Sequence, residues 1–163
     1  AEYELDVIIF ATGYDAGTGS WTRIDIRGEG GQTIKDKYAG GPRNYMGLQS
    51  VGFPKLFIMP GAGAGNFTRG CAPVVEWVAD CIGYMRQNEF KHISATPEAE
   101  EAWTEYVAQA SANFLRTKAD SWFVGANIPG KARVLLGSPD SAPVARAKRA
   151  QVAANGYEGF LLR

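Results

Sequence analysis

The chain has 163 residues, and its 17 lysines and arginines balance 17 aspartates and glutamates, so its formal net charge is zero. This balance gives no electrostatic reason to expect nucleic acid or an anionic membrane as a general partner. No apolar run approaches the roughly 20 residues that span a bilayer, and no signal peptide is visible, so we expect neither membrane insertion nor secretion.

The first predicted element is a buried strand. Val7 to Phe10 is a continuous β-branched and aromatic run, which is typical of a strand covered on both faces in a parallel sheet. The small residues Ala11, Thr12 and Gly13 follow, and ligands approach parallel sheets at this end of a strand. Because little in the later sequence can supply neighbouring strands, we expect this chain to be the carboxyl-terminal part of a larger enzyme.

Shorter β elements are predicted before residue 60. Between Ile24 and Ile34, isoleucines alternate with charged residues around a glycine-rich turn, which predicts a small hairpin. Leu56 to Met59 predicts a second short strand. The glycine-rich stretch 61–65 then predicts a flexible loop.

A long helix is predicted from about Ala72, because apolar residues recur at helical spacing and Pro73 suits a first turn. The two cysteines, Cys71 and Cys81, fall in this region. Ten helical positions separate them by roughly 15 Å, which is too far for a disulfide. Two thiols without a disulfide framework favour a reducing compartment, and we expect the cytoplasm.

Two further helices are predicted. Thr96 is a good N-cap and Pro97 suits the first helical position, and the apolar stripe of this helix is expected to reach Phe114. The last helix is predicted from about Ala142 to Asn155, where Gly156 ends it. Its basic residues Arg146, Lys148 and Arg149 are interpreted as a solvated face, with a contact to an NADP phosphate as the alternative.

Several motifs in this order resemble one family of flavoproteins. Residues 10–15, Phe-Ala-Thr-Gly-Tyr-Asp, resemble a box of the class B flavin-dependent monooxygenases. Residues 121–131, Ser-Trp-Phe-Val-Gly-Ala-Asn-Ile-Pro-Gly-Lys, are similar to a signature of the Baeyer–Villiger monooxygenases, especially the cyclohexanone monooxygenase-like group. Segments 41–47, 75–80 and 155–160 also resemble that family, so the resemblance covers essentially the whole chain.

The resemblance implies an α/β fold, the carboxyl-terminal part of a Rossmann-like flavoprotein with two dinucleotide-binding domains. Residues 1–163 would be the end of the FAD-binding domain plus a lid loop at about 119–140, without an internal boundary. They would contribute one core parallel strand, a small β-hairpin and three main helices. The implied parent enzyme uses FAD and NADPH to insert one oxygen atom of O₂ next to a ketone carbonyl, which gives an ester or lactone.

The resemblance also implies roles for particular residues. Trp122 would gate cofactor and substrate, Asn127 and Lys131 would reach the nicotinamide nucleotide, and Asp15 would lie at the junction with the nicotinamide domain. The start of the long helix would lie at the flavin edge, where a helix amino end favours negative charge. The implied cofactor-binding set is Thr12, Gly13, Asp15, Asn66, Phe67, Thr68, Trp122, Asn127 and Lys131, of which Phe67 and Trp122 also face the substrate.

Alternatives remain open for both residues and function. Trp122 can instead be a core anchor under a long loop, and Phe67 can be ordinary core packing. The dinucleotide fingerprints and the family's catalytic arginine are not found in this sequence, so we assign no catalytic residue and no metal ligand. The alternative functions are an N- or S-oxygenating flavin-containing monooxygenase, and a non-catalytic fragment that only binds or assembles.

Overall fold

The structure of the protein, a computed structural model, describes residues 2–11, 13–59 and 67–163, and only the backbone of residues 67 and 68. Helices dominate, and one small sheet joins two distant segments. Among the described residues, no helix has the length and apolarity needed to cross a bilayer. The elements are α1 Gly19–Thr22, α2 Ile34–Lys37, α3 Phe67–Gln87, β1 Ile93–Ala95, α4 Pro97–Ser111, α5 Leu115–Lys118, α6 Ala142–Ala154 and β2 Phe160–Leu162, with short 3-10 turns at Glu29–Gly31 and Trp122–Val124.

The three main helices of the prediction are confirmed, with corrections at their ends. Helix α3 begins at Phe67 rather than near Ala72, which places Pro73 inside the helix instead of in its first turn. Helix α4 is capped as predicted, since the Thr96 hydroxyl accepts a hydrogen bond from the Ala99 amide at 3.3 Å. Helix α4 ends before Phe114, whose extended backbone precedes the separate helix α5.

Helix α6 agrees with its predicted bounds. It ends at Ala154, and Asn155 is its C-cap. Gly156 follows in the left-handed region at φ +69°, where glycine is favoured because it has no Cβ atom. The prediction that Gly156 ends this helix is therefore confirmed.

The β elements predicted in the first part of the chain are not assigned as strands in the structure. No strand is assigned to Val7–Phe10, whose side chains are 66–85% exposed, so the parallel strand stays a prediction that needs partners outside the described chain. The hairpin is reduced to one bridge between Arg27 and Thr33. Ile34 starts α2 instead of a strand, because the Thr33 hydroxyl caps that helix by accepting from the Asp36 amide at 3.1 Å.

The prediction of a strand at Leu56–Met59 is wrong, since no strand is assigned there. The Ile58 amide donates to the Leu48 carbonyl at 2.7 Å, but this contact does not extend into a ladder. The observed sheet lies elsewhere and is antiparallel, with β1 and β2 paired through Ile93–Leu162, Ser94–Leu161 and Ala95–Phe160. The predicted loop at 61–65 lies outside the described residues.

An aromatic core joins α3 to the end of the chain. The Trp77 ring lies 5.2 Å from the Tyr157 ring and 5.9 Å from the Phe160 ring, measured between centroids. The Trp77 indole N–H donates to the Arg149 carbonyl at 2.9 Å, which connects α3 to α6. Nearby, the Tyr45 hydroxyl donates to the carbonyl of Glu158 at 3.2 Å. This packing joins α3, α6 and the end of the described chain in one core.

The two cysteines of α3 have different surroundings, and this difference predicts their reactivity. Both thiols are free, but Cys81 is fully buried in the core whereas Cys71 is half-buried. Burial raises the pKa of the Cys81 thiol from 9.0 to about 11. We expect a thiol reagent at pH 8 to label Cys71 in the native protein and to leave Cys81 unlabelled, as mass spectrometry of peptides would show.

The same burial predicts a loss of stability at high pH. The raised pKa means that the folded protein favours the neutral Cys81 thiol. The contribution of this thiol to the free energy of unfolding is therefore fully present below the pKa of the unfolded chain, and it is lost as pH rises from about 9 to about 11. The loss attributable to this thiol is on the order of 3 kcal/mol. Urea titrations of wild type and Cys81→Ala isolate it, and parallel pH profiles of the two proteins would contradict the expectation.

Candidate functional site

A cleft lies between the segment around residues 11–16 and the loop that carries Trp122. Its volume is about 570 Å³, which is within the range of small-molecule sites. Trp122 stands on one wall and Gly13 on the other, although more than 100 residues separate them in sequence. The described lining residues are Ala11, Gly13, Tyr14, Ala16, Asp120, Ser121, Trp122 and Asn127.

Trp122 presents its indole to solvent and to the cleft. It begins a single 3-10 turn that Ser121 caps, because the Ser121 hydroxyl accepts from the Phe123 amide at 3.3 Å. The indole stacks on the Phe123 ring with centroids 3.9 Å apart, and half of the Trp122 surface is exposed. Trp122 is therefore not buried in the described core. Val124, which is 2% exposed, holds this turn on the body of the protein instead.

The opposite wall offers accessible backbone. Gly13 has a φ of +76°, a conformation that favours glycine, and no described atom lies within 4 Å of the position of an added Cβ. The neighbouring Tyr14 is also exposed. A flat ligand can therefore approach the peptide groups of this wall without a steric barrier.

The loop at residues 119–140 is a compact structure with internal hydrogen bonds. The Leu136 amide donates to the Phe123 carbonyl at 2.9 Å, so the two halves of the loop are in contact. Arg133 forms an ion pair with Asp120 and donates to the Ala119 carbonyl at 2.9 Å. These contacts hold the Trp122 turn in one shape, which an unstructured flap would not have.

Two side chains of this loop contact the opposite wall of the cleft. The Lys131 ammonium pairs with the Asp15 carboxylate and also donates to the Ala16 carbonyl at 3.1 Å. The Asn127 side-chain amide donates to the Tyr14 carbonyl at 3.2 Å. Two polar side chains of the loop signature, Asn127 and Lys131, therefore contact the segment that follows the predicted strand.

A buried carboxylate anchors the carboxyl end of the loop. Asp140, which is 8% exposed, accepts from Lys148 at 3.0 Å and from the Tyr106 hydroxyl. The Lys148 ammonium also lies 3.5 Å from the Tyr106 ring centroid. Burial lowers the pKa of Lys148. Hydrogen bonds with Tyr106 and Asp140, together with the charge of Asp140, raise this pKa by more than burial lowers it, so the net pKa is above its ordinary value.

These contacts correct the interpretation of the basic residues on α6 as a solvated face. Lys148 is only partly exposed and is paired with Asp140. Arg149 is 7% exposed, and burial together with the nearby charge of Arg146 lowers its pKa. Arg146 alone of the three is exposed as predicted, because the helix packs its other two basic residues toward the body of the protein.

A second buried carboxylate, Glu100, connects α4 to Lys37, Arg43 and Val51. Its carboxylate accepts from Lys37 at 2.7 Å and from the Val51 amide at 2.8 Å, and it lies 3.8 Å from Arg43. The side chain is 5% exposed. In the sequence, Glu100 resembles its neighbours Glu98 and Glu101, which suit the positive end of a helix, so this role was not predicted.

A smaller cavity lies on the other side of the loop, between Leu135 and the aromatic residues Trp21, Tyr38 and Trp103. Its volume is about 70 Å³, which is far below the volume of typical ligand sites. The cleft at Trp122 is therefore the better candidate for a ligand.

The structure places the predicted site residues in three groups. Gly13, Trp122 and Asn127 line the cleft, and Asp15 and Lys131 pair at its edge. Of Phe67 and Thr68 the structure describes only the backbone, at the start of α3. The two remaining members of the set, Thr12 and Asn66, lie outside the described residues.

Comparison with known proteins gives relatives in sequence over nearly the whole chain. An acetone monooxygenase (methyl acetate-forming) of Gordonia sp. (strain TY-5) is 39% identical over 98% of this chain and 31% of the relative. The phenazine N-monooxygenase PhzNO1 of Lysobacter antibioticus is 36% identical over 99% of this chain and 30% of the relative. No protein-family model matches the chain.

Solved structures agree with the sequence relatives. The closed crystal structure of a cyclohexanone monooxygenase matches 100% of this chain with a TM-score of 0.93 and 42% identity. A structure of OTEMO in complex with FAD and NADP matches with a TM-score of 0.84 and 39% identity. The chain spans about 31% of the length of each. The relatives of the chain in sequence and in structure include Baeyer–Villiger and cyclohexanone monooxygenases, and the chain corresponds to a quarter to about three tenths of their length.

Proposed function

We propose that this chain is the carboxyl-terminal part of an FAD- and NADPH-dependent monooxygenase that converts a ketone and O₂ into an ester or lactone. The observation that carries the proposal is the cleft itself. An exposed indole on a preformed turn faces open glycine backbone, in a chain that superposes on a cyclohexanone monooxygenase with a TM-score of 0.93.

The described residues of the cleft fit a nicotinamide nucleotide. Trp122 offers an exposed aromatic face for a flat ring, and Gly13 offers peptide groups that a ligand can reach. FAD and NADPH, when bound, supply the redox chemistry, and the protein supplies binding, orientation and exclusion of water. The role of Trp122 is then to cover the cofactor and shape the entrance for the ketone.

For the flavin, the proposal uses the amino end of α3. Helix α3 has 21 residues, and its first backbone N–H groups provide a partial positive charge. In this proposal Asn66, Phe67 and Thr68 lie at the edge of the flavin ring, Phe67 also faces the ketone, and Thr12 and Gly13 approach the ring from the predicted strand. A flavin that gains negative charge on reduction is stabilised by such a helix end.

The proposal also includes partners for the exposed segment before the cleft. Val7, Ile8, Ile9 and Phe10 are 66–85% exposed, which is unfavourable for a continuous apolar run in water. We propose that the remainder of the parent enzyme covers this segment as neighbouring strands of a parallel sheet. Residues 1–163 then form one continuous unit of the FAD-binding domain, with 119–140 as its lid, in a protein of the cytoplasm.

Oxygenation of nitrogen is the second candidate function. The relative named as a phenazine N-monooxygenase is matched over 99% of this chain, so the match includes the Trp122 loop. The loop therefore does not by itself separate insertion of oxygen next to a ketone from oxygenation of a ring nitrogen. The chemistry of the substrate pocket, much of which we assign to the rest of the enzyme, decides between them.

One experiment tests the proposal and the alternative together. The whole polypeptide that carries this sequence is purified, supplied with FAD and NADPH, and given either cyclohexanone or phenazine. We expect retained flavin, NADPH oxidation with the ketone, and a lactone in mass spectrometry. An N-oxide without lactone would favour the second candidate, and a protein that retains no flavin would reject both. Residues 1–163 alone should show no turnover, because we assign the catalytic arginine to the missing part.

A further inference from the structure

The contacts between the lid loop and the opposite wall point to a role for Asp15 and Lys131. Their side chains are 22% and 15% exposed, so both charges are largely removed from water and each is the partner of the other. Lys131 also donates to the Ala16 carbonyl at 3.1 Å. Two of the three N–H donors of this ammonium are used by the protein, and the Asp15 carboxylate compensates its charge, so it is poorly placed to reach out to a nucleotide phosphate.

A second contact holds the same two segments together. The Asn127 side-chain amide donates to the Tyr14 carbonyl, so two loop side chains together contact three consecutive residues, 14–16. Trp122 and Tyr14 line the same cleft. A change in the spacing of these contacts would therefore change the distance between the indole and the opposite wall.

Gly125 explains how Lys131 reaches its partner. The backbone of Gly125 has a φ of +72°, and a Cβ atom there would lie 3.1 Å from Cδ and 3.2 Å from Cγ of Lys131. The lysine stem thus passes directly over this glycine on its way to Asp15. A side chain at position 125 would both strain the backbone and displace the stem.

We propose that Asp15 and Lys131 are positioning residues, whose ion pair fixes the Trp122 loop at a set distance from the opposite wall of the cleft. The expected effect on nucleotide binding rests on the proposed function, in which the position of the loop controls how the cleft holds a nicotinamide nucleotide. It assigns the charge of Lys131 to the protein's own carboxylate instead of to the nucleotide.

Charge reversal tests the pair in the whole polypeptide that carries this sequence. The variants are Lys131→Glu, Asp15→Lys and the double exchange, with the milder Asp15→Asn and Lys131→Met as substitutes if a reversal prevents folding. Arg27→Glu is the control, because Arg27 forms an exposed ion pair with Asp25 away from the cleft. The first measurement is hydrogen exchange of the 121–131 amides without cofactor, and the second is the affinity for NADP⁺.

We expect each single reversal to speed exchange of the loop amides by about tenfold, because a lost tertiary anchor permits local opening. The double exchange should restore most of the protection and most of the NADP⁺ affinity, and the control should change neither. Unchanged exchange in the single variants would overturn the inference. Restored protection without restored NADP⁺ affinity would also overturn it, because Lys131 would then be a nucleotide ligand.

The two measurements also separate this inference from the proposed function. If the unmodified protein binds no NADP⁺ and no flavin, the proposed function fails. The exchange measurement still decides whether the Asp15–Lys131 pair holds the loop.

Discussion

Replacing Trp122 with alanine should weaken NADP⁺ binding by about ten- to a hundredfold and leave the stability of the fold nearly unchanged. The indole is half exposed and stacks only on Phe123 among the described rings, so the folded protein loses little packing. A cofactor that covers the aromatic face would lose an interaction on the order of 1–3 kcal/mol. Titration of NADP⁺ into the whole polypeptide that carries this sequence and urea denaturation of the same variant measure the two effects.

Leu115→Ala is a matched control for this variant. Leu115 is 84% exposed and lies on α5, outside the described lining of the cleft. Its truncation should change neither NADP⁺ affinity nor the free energy of unfolding. Equal NADP⁺ affinity of the Trp122→Ala variant and the wild type would contradict the role of Trp122 in the cleft. A loss of several kcal/mol of stability would mean that the indole serves the fold instead.

Replacing Glu100 with alanine should lower the free energy of unfolding by about 3–5 kcal/mol, because removing one member of a buried ion pair leaves the other charge uncompensated. Lys37 would lose its carboxylate at 2.7 Å, and the Val51 amide would lose its acceptor at 2.8 Å. Glu100→Gln should cost less, since its amide oxygen can still accept from Val51. Urea denaturation followed by circular dichroism measures both variants.

Glu101→Ala controls for the change in net charge and in helix dipole. Glu101 follows Glu100 on α4 and pairs with Arg43, but its side chain is 55% exposed. Exposed ion pairs contribute about 0–1 kcal/mol, so this variant should remain close to the wild type. Similar losses in the free energy of unfolding for Glu100→Ala and Glu101→Ala would contradict the stabilising role assigned to the burial of Glu100.

The long helices were predictable because their signals are local. A periodic apolar stripe identifies α3, and the Thr96–Pro97 pair and Gly156 mark helix ends through hydrogen bonds and backbone angles within a few residues. The start of α3 was missed because Pro73 resembles a first-turn residue, whereas the structure places it inside the helix. The short strands β1 and β2 have three residues each, too few for a periodic pattern.

The candidate site was predictable only in part, for a related reason. The Trp122 loop and the segment at residues 10–15 each carry a local motif, so both could be found in the sequence. The pairing of Asp15 with Lys131 joins residues 116 positions apart, and nothing in either motif indicates it. Buried carboxylates such as Asp140 are equally hidden, because a sequence shows a charge but not the partner that makes its burial favourable.

The hydrogen bond between Tyr45 and Glu158 has a consequence for synthesis on the ribosome. The two residues are 113 positions apart, and both lie beside the aromatic core that Trp77 shares with Phe160. At typical translation rates, on the order of ten seconds pass between the appearance of the first and the second. From the synthesis of α3 until that of Phe160, the side of α3 that carries Trp77 lacks these partners, so the core cannot complete its packing before residues 157–160 have appeared.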